Sequence, residues 1–211
     1  VIRKAIIIGA GGHCRAILSV LTALGKHEMM GIVDLAKPSV GEAIMGVPVI
    51  GSSNCLEEIN GREDIDVFLA IGDNVLRLTW FQKVGELNLT MPNLISPNAI
   101  VDPHAHLGIA NVVCARAFIG PEAVLGDNNL VNTAAVLEHE VRIGNNCHLA
   151  PSSTVSGRSK IGDGCFVGAG ATVINYVEVA ADVTIGAGAS VIRSITDSGV
   201  YVGTPVRKVG L

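Results

Sequence analysis

From residue 95 onward the chain is paced in sixes. Ile95, Val101, Leu107, Val113, Ile119 and every sixth residue after them to Val191 is Ile, Leu or Val, seventeen positions without a break. These three types supply 65 of the 211 residues. A run of that length therefore arises by chance about once in 10⁸, all six registers allowed. The residue after the anchor is often glycine (Gly108, Gly120, Gly126, Gly144), and the fourth after it is usually small (Ala117, Ala135, Cys147, Ser153, Cys165). A period of six suits a coil with three flat faces, each a short strand with one aliphatic side chain turned inward and a small residue at the corner. Three hexads make one coil, and the run predicts a prism of five to six coils, roughly 27 Å tall at the spacing of paired strands.

The first ninety residues follow another rhythm. Short aliphatic runs at Ala5–Ile8, Met30–Val33, Val47–Ile50 and Val67–Ile71 read as strands. Arg15–Leu24 places Ile17, Leu18, Leu21 and Leu24 on one helical face, and a second helix is predicted from an Asp73 or Asn74 cap to about Leu87. Strand alternating with helix implies a small parallel sheet. Two domains are expected: a Rossmann-like α/β unit over 1–92 and the prism over 93–211.

Composition narrows the classes. Hydrophobic residues at 49% against 16% charged exclude a disordered chain, and no apolar stretch reaches the length of a membrane span. Aromatics are 3%, as a narrow bore would require, and a net charge of −4 gives no basic field for nucleic acid. Five cysteines without a C-x-x-C spacing point to reduced thiols. Val1-Ile2-Arg3-Lys4 leads directly into a strand with no signal-peptide pattern, and a cytoplasmic location is expected.

Two places carry candidate chemistry. Gly9-Ala10-Gly11-Gly12-His13-Cys14 follows the first strand and opens the first helix, where backbone N–H groups can receive a diphosphate. Cys14 replaces the third glycine of the dinucleotide fingerprint, and Asp34 stands near the position of a ribose-binding acid. NAD, another nucleotide and a ligand-free turn all remain open at this point. Gly72 and Asn74, after the last strand of the unit, are expected to border the same crevice. In the prism, His139 lies between Glu138 and Glu140. A carboxylate on one ring nitrogen fixes the tautomer and raises the basicity of the other, as a general base requires. Three imidazoles at zinc-binding register are not found: His106 and His148 are 42 residues apart and His104 and His139 are 35 apart, neither a whole number of coils, no third partner is evident, and no metal is expected. Cys147 and Cys165 stack one coil apart at the small position, which suits inert packing better than an acyl-enzyme.

Taken together, Gly9–His13, Ala70-Ile71-Gly72-Asp73-Asn74, Val131-Asn132-Thr133, Glu138-His139-Glu140, the hexads and the terminal Val202-Gly203-Thr204-Pro205 resemble the NeuD/PglD family of bacterial sugar O- and N-acetyltransferases over essentially the whole chain. The resemblance implies an α/β N-terminal domain followed by a left-handed parallel β-helix, a homotrimer, and acetyl-CoA as co-substrate. It implies that Gly11, Gly12, His13 and Asp34 hold a nucleotide-linked sugar, that His139 is the catalytic base, and that Glu140 supports it, with Glu138 an open alternative. By positional match it places His148 by the thioester and the pantetheine arm near Gly157, Ala169 and Ala187; Asn132 and Thr133 are expected to orient the substrate. Arg207 and Lys208 are either phosphate contacts or a solvated tail. The activity implied is N-acetylation of a nucleotide-linked 4-amino-4,6-dideoxy sugar for surface glycans. O-acetylation of a sialic-acid-like sugar and a non-catalytic trimeric scaffold are the alternatives.

Overall fold

In a computed structural model, residues 2–35 and 41–210 are described. They form two compact units, Val1–Pro97 and Asn98–Leu211. Pro92–Ile95, at the end of the first unit, line a cavity of about 550 Å³ with Arg3, His27, Asp66 and Phe68.

The first unit is a five-stranded sheet in the order β3-β4-β2-β1-β5. Its strands are β1 (Arg3–Ile8), β2 (His27–Val33), β3 (Ala43–Ile44), β4 (Val47–Gly51) and β5 (Ile65–Leu69). All pair in parallel except β3, which forms a hairpin with β4. The hairpin turns at Met45-Gly46, both with positive φ as such turns require; the sequence reading had no strand there. Helix α1 (Gly12–Leu24) begins in the glycine loop itself, and Gly25 ends it in a left-handed conformation with its N–H on the Leu21 carbonyl at 3.0 Å. It buries Ile17, Leu18 and Leu21 as the periodicity predicts. Helix α2 (Asn74–Glu86) is capped by Asp73, whose Oδ1 accepts the Leu76 N–H at 2.8 Å.

Strand β5 starts two residues before the apolar run Val67–Ile71 and carries a buried charge near its head. Asp66 is 3% exposed and accepts from Arg3 Nη2 at 2.7 Å and His27 Nε2 at 2.9 Å. Paired in this way, the carboxylate sits in the strand at a cost an isolated charge could not meet.

The second unit is the prism. Partners in register lie 18 residues apart, as in Phe118 with Val136, Val124 with Arg142, and Leu130 with His148. The first face carries Ile100–Val101, Phe118–Ile119, Val136–Leu137, Thr154–Val155, Thr172–Val173 and Ser190–Val191. The second runs from His106–Leu107 through Arg142–Ile143 to Glu178–Val179, and the third includes Leu130–Val131, His148–Leu149 and Phe166–Val167. From Val113 to Val191 every anchor is buried, none more than 4% exposed. Each contributes about 1.5–3 kcal/mol. The hexad stops where the fold changes: Val179 pairs with Ile195 and Ile185 with Tyr201, so the closing coil is two residues shorter.

The corners follow one rule. The third residue after each anchor, from Ala110 to Gly188, has φ between 57° and 70°. Most are not glycine, and the left-handed conformation is sustained by the ladders on either side. The consequence is geometric: side chains at one corner stack in columns, one per coil.

Candidate active site

The first unit gathers its candidate residues at the carboxyl ends of β1, β2 and β5. Because β2 and β5 lie on opposite sides of β1 in the sheet, the loops after β1 and β5 face each other at a topological switch point, where open parallel sheets bind ligands. Gly9 is needed here for packing: its φ is +107°, and a Cβ would lie 2.8 Å from the Ala70 carbonyl oxygen. Gly11 and Gly12 are different. Both are exposed, and a Cβ on either would meet no atom within 4 Å. The protein's own packing does not require glycine at either position.

His13, in the first turn of α1, is driven down to about 4 by burial and then by the Arg77 charge, so its ring is neutral at pH 7. Asp34 follows β2, its N–H on the Gly51 carbonyl at 3.0 Å. Arg77 lies only 2% exposed on α2. It donates to the carbonyls of Ile71 and Gly72 at 3.3 Å each and to Asn74 Oδ1 at 2.9 Å, so it orders the loop that carries Gly72 and Asn74. Sequence reading missed Arg77; its i+3 spacing from Asn74 and position one turn into α2 were the available signals.

The second constellation lies at the corner between the first and second faces of the prism. Leu137 points into the bore, so the next residues turn outward, and the His139 side chain is 51% exposed. Its Nδ1 lies 2.9 Å from Glu140 Oε2. With Nδ1–H given to the carboxylate, Nε2 is left as the acceptor. Of the two flanking acids, Glu140 makes this bond. The same Oε2 accepts from Arg158 Nε at 2.8 Å, and Arg158 Nη1 bonds the Tyr176 hydroxyl at 2.9 Å. Arg158 first, then His139, holds the Glu140 carboxyl below its usual range, so it stays ionised well into acid. Gly157 stands one coil beyond His139 and beneath its ring: a Cβ there would lie 2.5 Å from Nε2.

The remaining predicted residues collect at the neighbouring corner, between the third and first faces. His148 is buried at 9% exposure, stacked edge-on against Phe166 at 5.0 Å, with Nε2 3.3 Å from Asn132 Nδ2. Asn132 Oδ1 also accepts the Thr133 N–H at 2.8 Å. Ala169 and Ala187 are exposed at that corner on successive coils. The cofactor candidates thus divide: Gly157 stands with His139, and His148, Ala169 and Ala187 stand together across the first face. Arg207 and Lys208 belong to a strand, Arg207–Val209, antiparallel to Gly199–Val202, rather than to a free tail.

Among the described residues no group of three His, Cys, Asp or Glu is placed to hold a metal ion. Burial pushes the thiols of Cys14 and Cys114 up to about 11, and the sulfurs of Cys147 and Cys165 donate to the Gly162 and Ala180 carbonyls at 3.1 Å. No described helix is long and apolar enough to cross a membrane.

A three-faced hexapeptide prism after a nucleotide-type α/β unit defines a class, the hexapeptide-repeat transferases. Residues 4–84 match the PglD N-terminal domain and residues 158–193 the bacterial transferase hexapeptide (six repeats). A histidine-to-asparagine variant of perosamine N-acetyltransferase from Caulobacter crescentus, in complex with CoA and GDP-perosamine, is 36% identical. The match covers 100% of this chain and 98% of that one, with a TM-score of 0.93. The acetyltransferase domain of PglB from Neisseria gonorrhoeae is 34% identical over 98% of this chain and 100% of that one, with a TM-score of 0.92. Its complex with acetyl coenzyme A matches at 33% identity over 98% of this chain and 99% of that one, TM-score 0.92. No curated protein matches the sequence. The chain belongs to the NeuD/PglD family of hexapeptide-repeat acetyltransferases, and its prism is the family's left-handed parallel β-helix.

Proposed function

We propose that this protein is an acetyl-CoA-dependent N-acetyltransferase for a nucleotide-linked amino sugar of the 4-amino-4,6-dideoxy type, used in bacterial surface glycans. The observation that carries the reading is the 2.9 Å bond between His139 Nδ1 and Glu140, which leaves Nε2 as the acceptor over a residue with no side chain. The relatives bound to CoA, acetyl-CoA and GDP-perosamine support the substrate classes.

In this reading the first unit holds the nucleotide sugar through Gly11, Gly12, His13, Asp34, Gly72 and Asn74, with a diphosphate on the amides at the start of α1. His148, Ala169, Ala187 and Gly157 border the coenzyme arm, and Asn132 orients the sugar. The neutral amine attacks the thioester carbonyl, and His139 Nε2 takes the proton it sheds. The tetrahedral intermediate then collapses with loss of the thiolate, which receives that proton from the imidazolium. Atoms balance without a covalent enzyme intermediate. Self-association into a trimer is part of the proposal, supported by the open apolar row Ile100, Phe118, Val136 on the first face. Five cysteines without a C-x-x-C spacing support a reducing, cytoplasmic setting.

The test follows free thiol from acetyl-CoA with candidate acceptors. Release is expected with a UDP- or GDP-linked 4-amino sugar and lost in His139→Ala. Release only with a sialic-acid-like hydroxyl acceptor would replace N- by O-acetylation, and turnover unchanged in His139→Ala would remove His139 from the chemistry.

A further inference from the structure

Glu140 is a long, half-buried side chain, 36% exposed beside a His139 side chain that is 51% exposed. An ion pair of that exposure is worth about 0–1 kcal/mol and does not by itself hold an imidazole in one orientation. The corner geometry supplies what is missing. Glu140, Arg158 and Tyr176 occupy the same corner on three successive coils, each in the left-handed conformation at φ 58°, 62° and 62°. Their side chains therefore rise in one column. Arg158 is fixed from below by the Tyr176 hydroxyl at 2.9 Å, with its guanidinium carbon 5.7 Å from the ring centre. From above it donates Nε–H to the oxygen that also receives His139 Nδ1–H.

We infer that Arg158, braced by Tyr176, is the positioning residue that aims the Glu140 carboxylate at His139. The inference rests on His139 acting as the base. Gly157 lies beneath the ring, and Glu140 Oε2 receives both His139 Nδ1 and Arg158 Nε–H. Held by Arg158, the carboxylate selects the tautomer that leaves Nε2 as the acceptor.

The experiment compares kcat and KM for wild type, Arg158→Met, Arg158→Lys and Tyr176→Phe with the best acceptor, alongside His139→Ala. Arg158→Met is expected to lower kcat about tenfold through misaimed geometry, with KM for both substrates within about twofold. Arg158→Lys restores only part of kcat, because an ammonium lacks the planar fork. Tyr176→Phe lowers kcat about two- to threefold. The inference is overturned if Arg158→Met keeps wild-type kcat, if KM rises as much as kcat falls, or if Arg158→Lys is no better than Arg158→Met. Turnover in His139→Ala overturns the underlying base assignment instead, whatever Arg158 does.

Discussion

At the scale of single residues, glycines have opposite meanings in this molecule. Gly157 is required by what already surrounds it, since a Cβ would lie 2.5 Å from His139 Nε2 and 2.6 Å from Cε1. Gly157→Ala therefore tilts the ring off its bond to Glu140. Turnover is expected to fall by about a hundredfold, the loss associated with a misplacement near 1 Å, while circular dichroism stays unchanged. A fully active Gly157→Ala would show that the ring has room to move. His13 gives a pH test. Its folded pKa of about 4 lies below the unfolded value near 6.5, so the unfolded chain binds more protons between those limits. Stability from the neutral ring is complete above pH 6.5 and drains away as pH falls toward 4. Thermal melts of wild type should therefore drop more steeply across that window than those of His13→Asn. Parallel curves would mean that the ring is solvated.

At the scale of elements, the hexad anchors were legible because burial of one aliphatic per strand leaves a direct period in the sequence. The corner chemistry was not, because left-handed residues of any type satisfy it: Glu140, Arg158 and Tyr176 share a conformation but no side-chain class. Their proximity emerges only when the 18-residue register is applied to position 140 as well as to the anchors. Arg77 was hidden for a related reason, as a buried arginine serving backbone carbonyls has no apolar period. The small fourth position also hid a device. Asn111 and Asn129 occupy it, 0% and 1% exposed. Asn129 Oδ1 accepts the Cys147 N–H at 2.7 Å, and its Nδ2 donates to the Gly144 carbonyl at 2.9 Å, stitching two coils together. Asn129→Ala removes both bonds at once in a dry site, a loss of about 1–3 kcal/mol. The thermal midpoint should fall by several degrees, with kcat unaffected at 25 °C because the change lies away from His139. An unchanged midpoint would show that solvent replaces the amide.

At the scale of the molecule, the outward rows of the prism differ in a way that assigns them different neighbours. The second face shows Arg142, Lys160 and Glu178, the last two joined by a 2.6 Å ion pair, and suits water. The first face shows Ile100, 64% exposed, then Phe118 and Val136, then Thr154 and Thr172. It is flanked on one edge by His139 and Gly157 and on the other by Asn132, Ala169 and Ala187. An apolar row bordered by both groups of candidate residues is where a second copy of the chain would complete the site while covering hydrophobic surface. Phe118→Glu tests this without touching either group. A carboxylate buried in such a contact costs several kcal/mol. If the proposed trimer forms through this face, sedimentation should move from a species of three chains to one. Thiol release should disappear with it, while binding of the nucleotide sugar to the first unit persists. A Phe118→Glu protein that stays trimeric would assign the contact to another face, and a monomer with full turnover would mean that each chain carries a complete site.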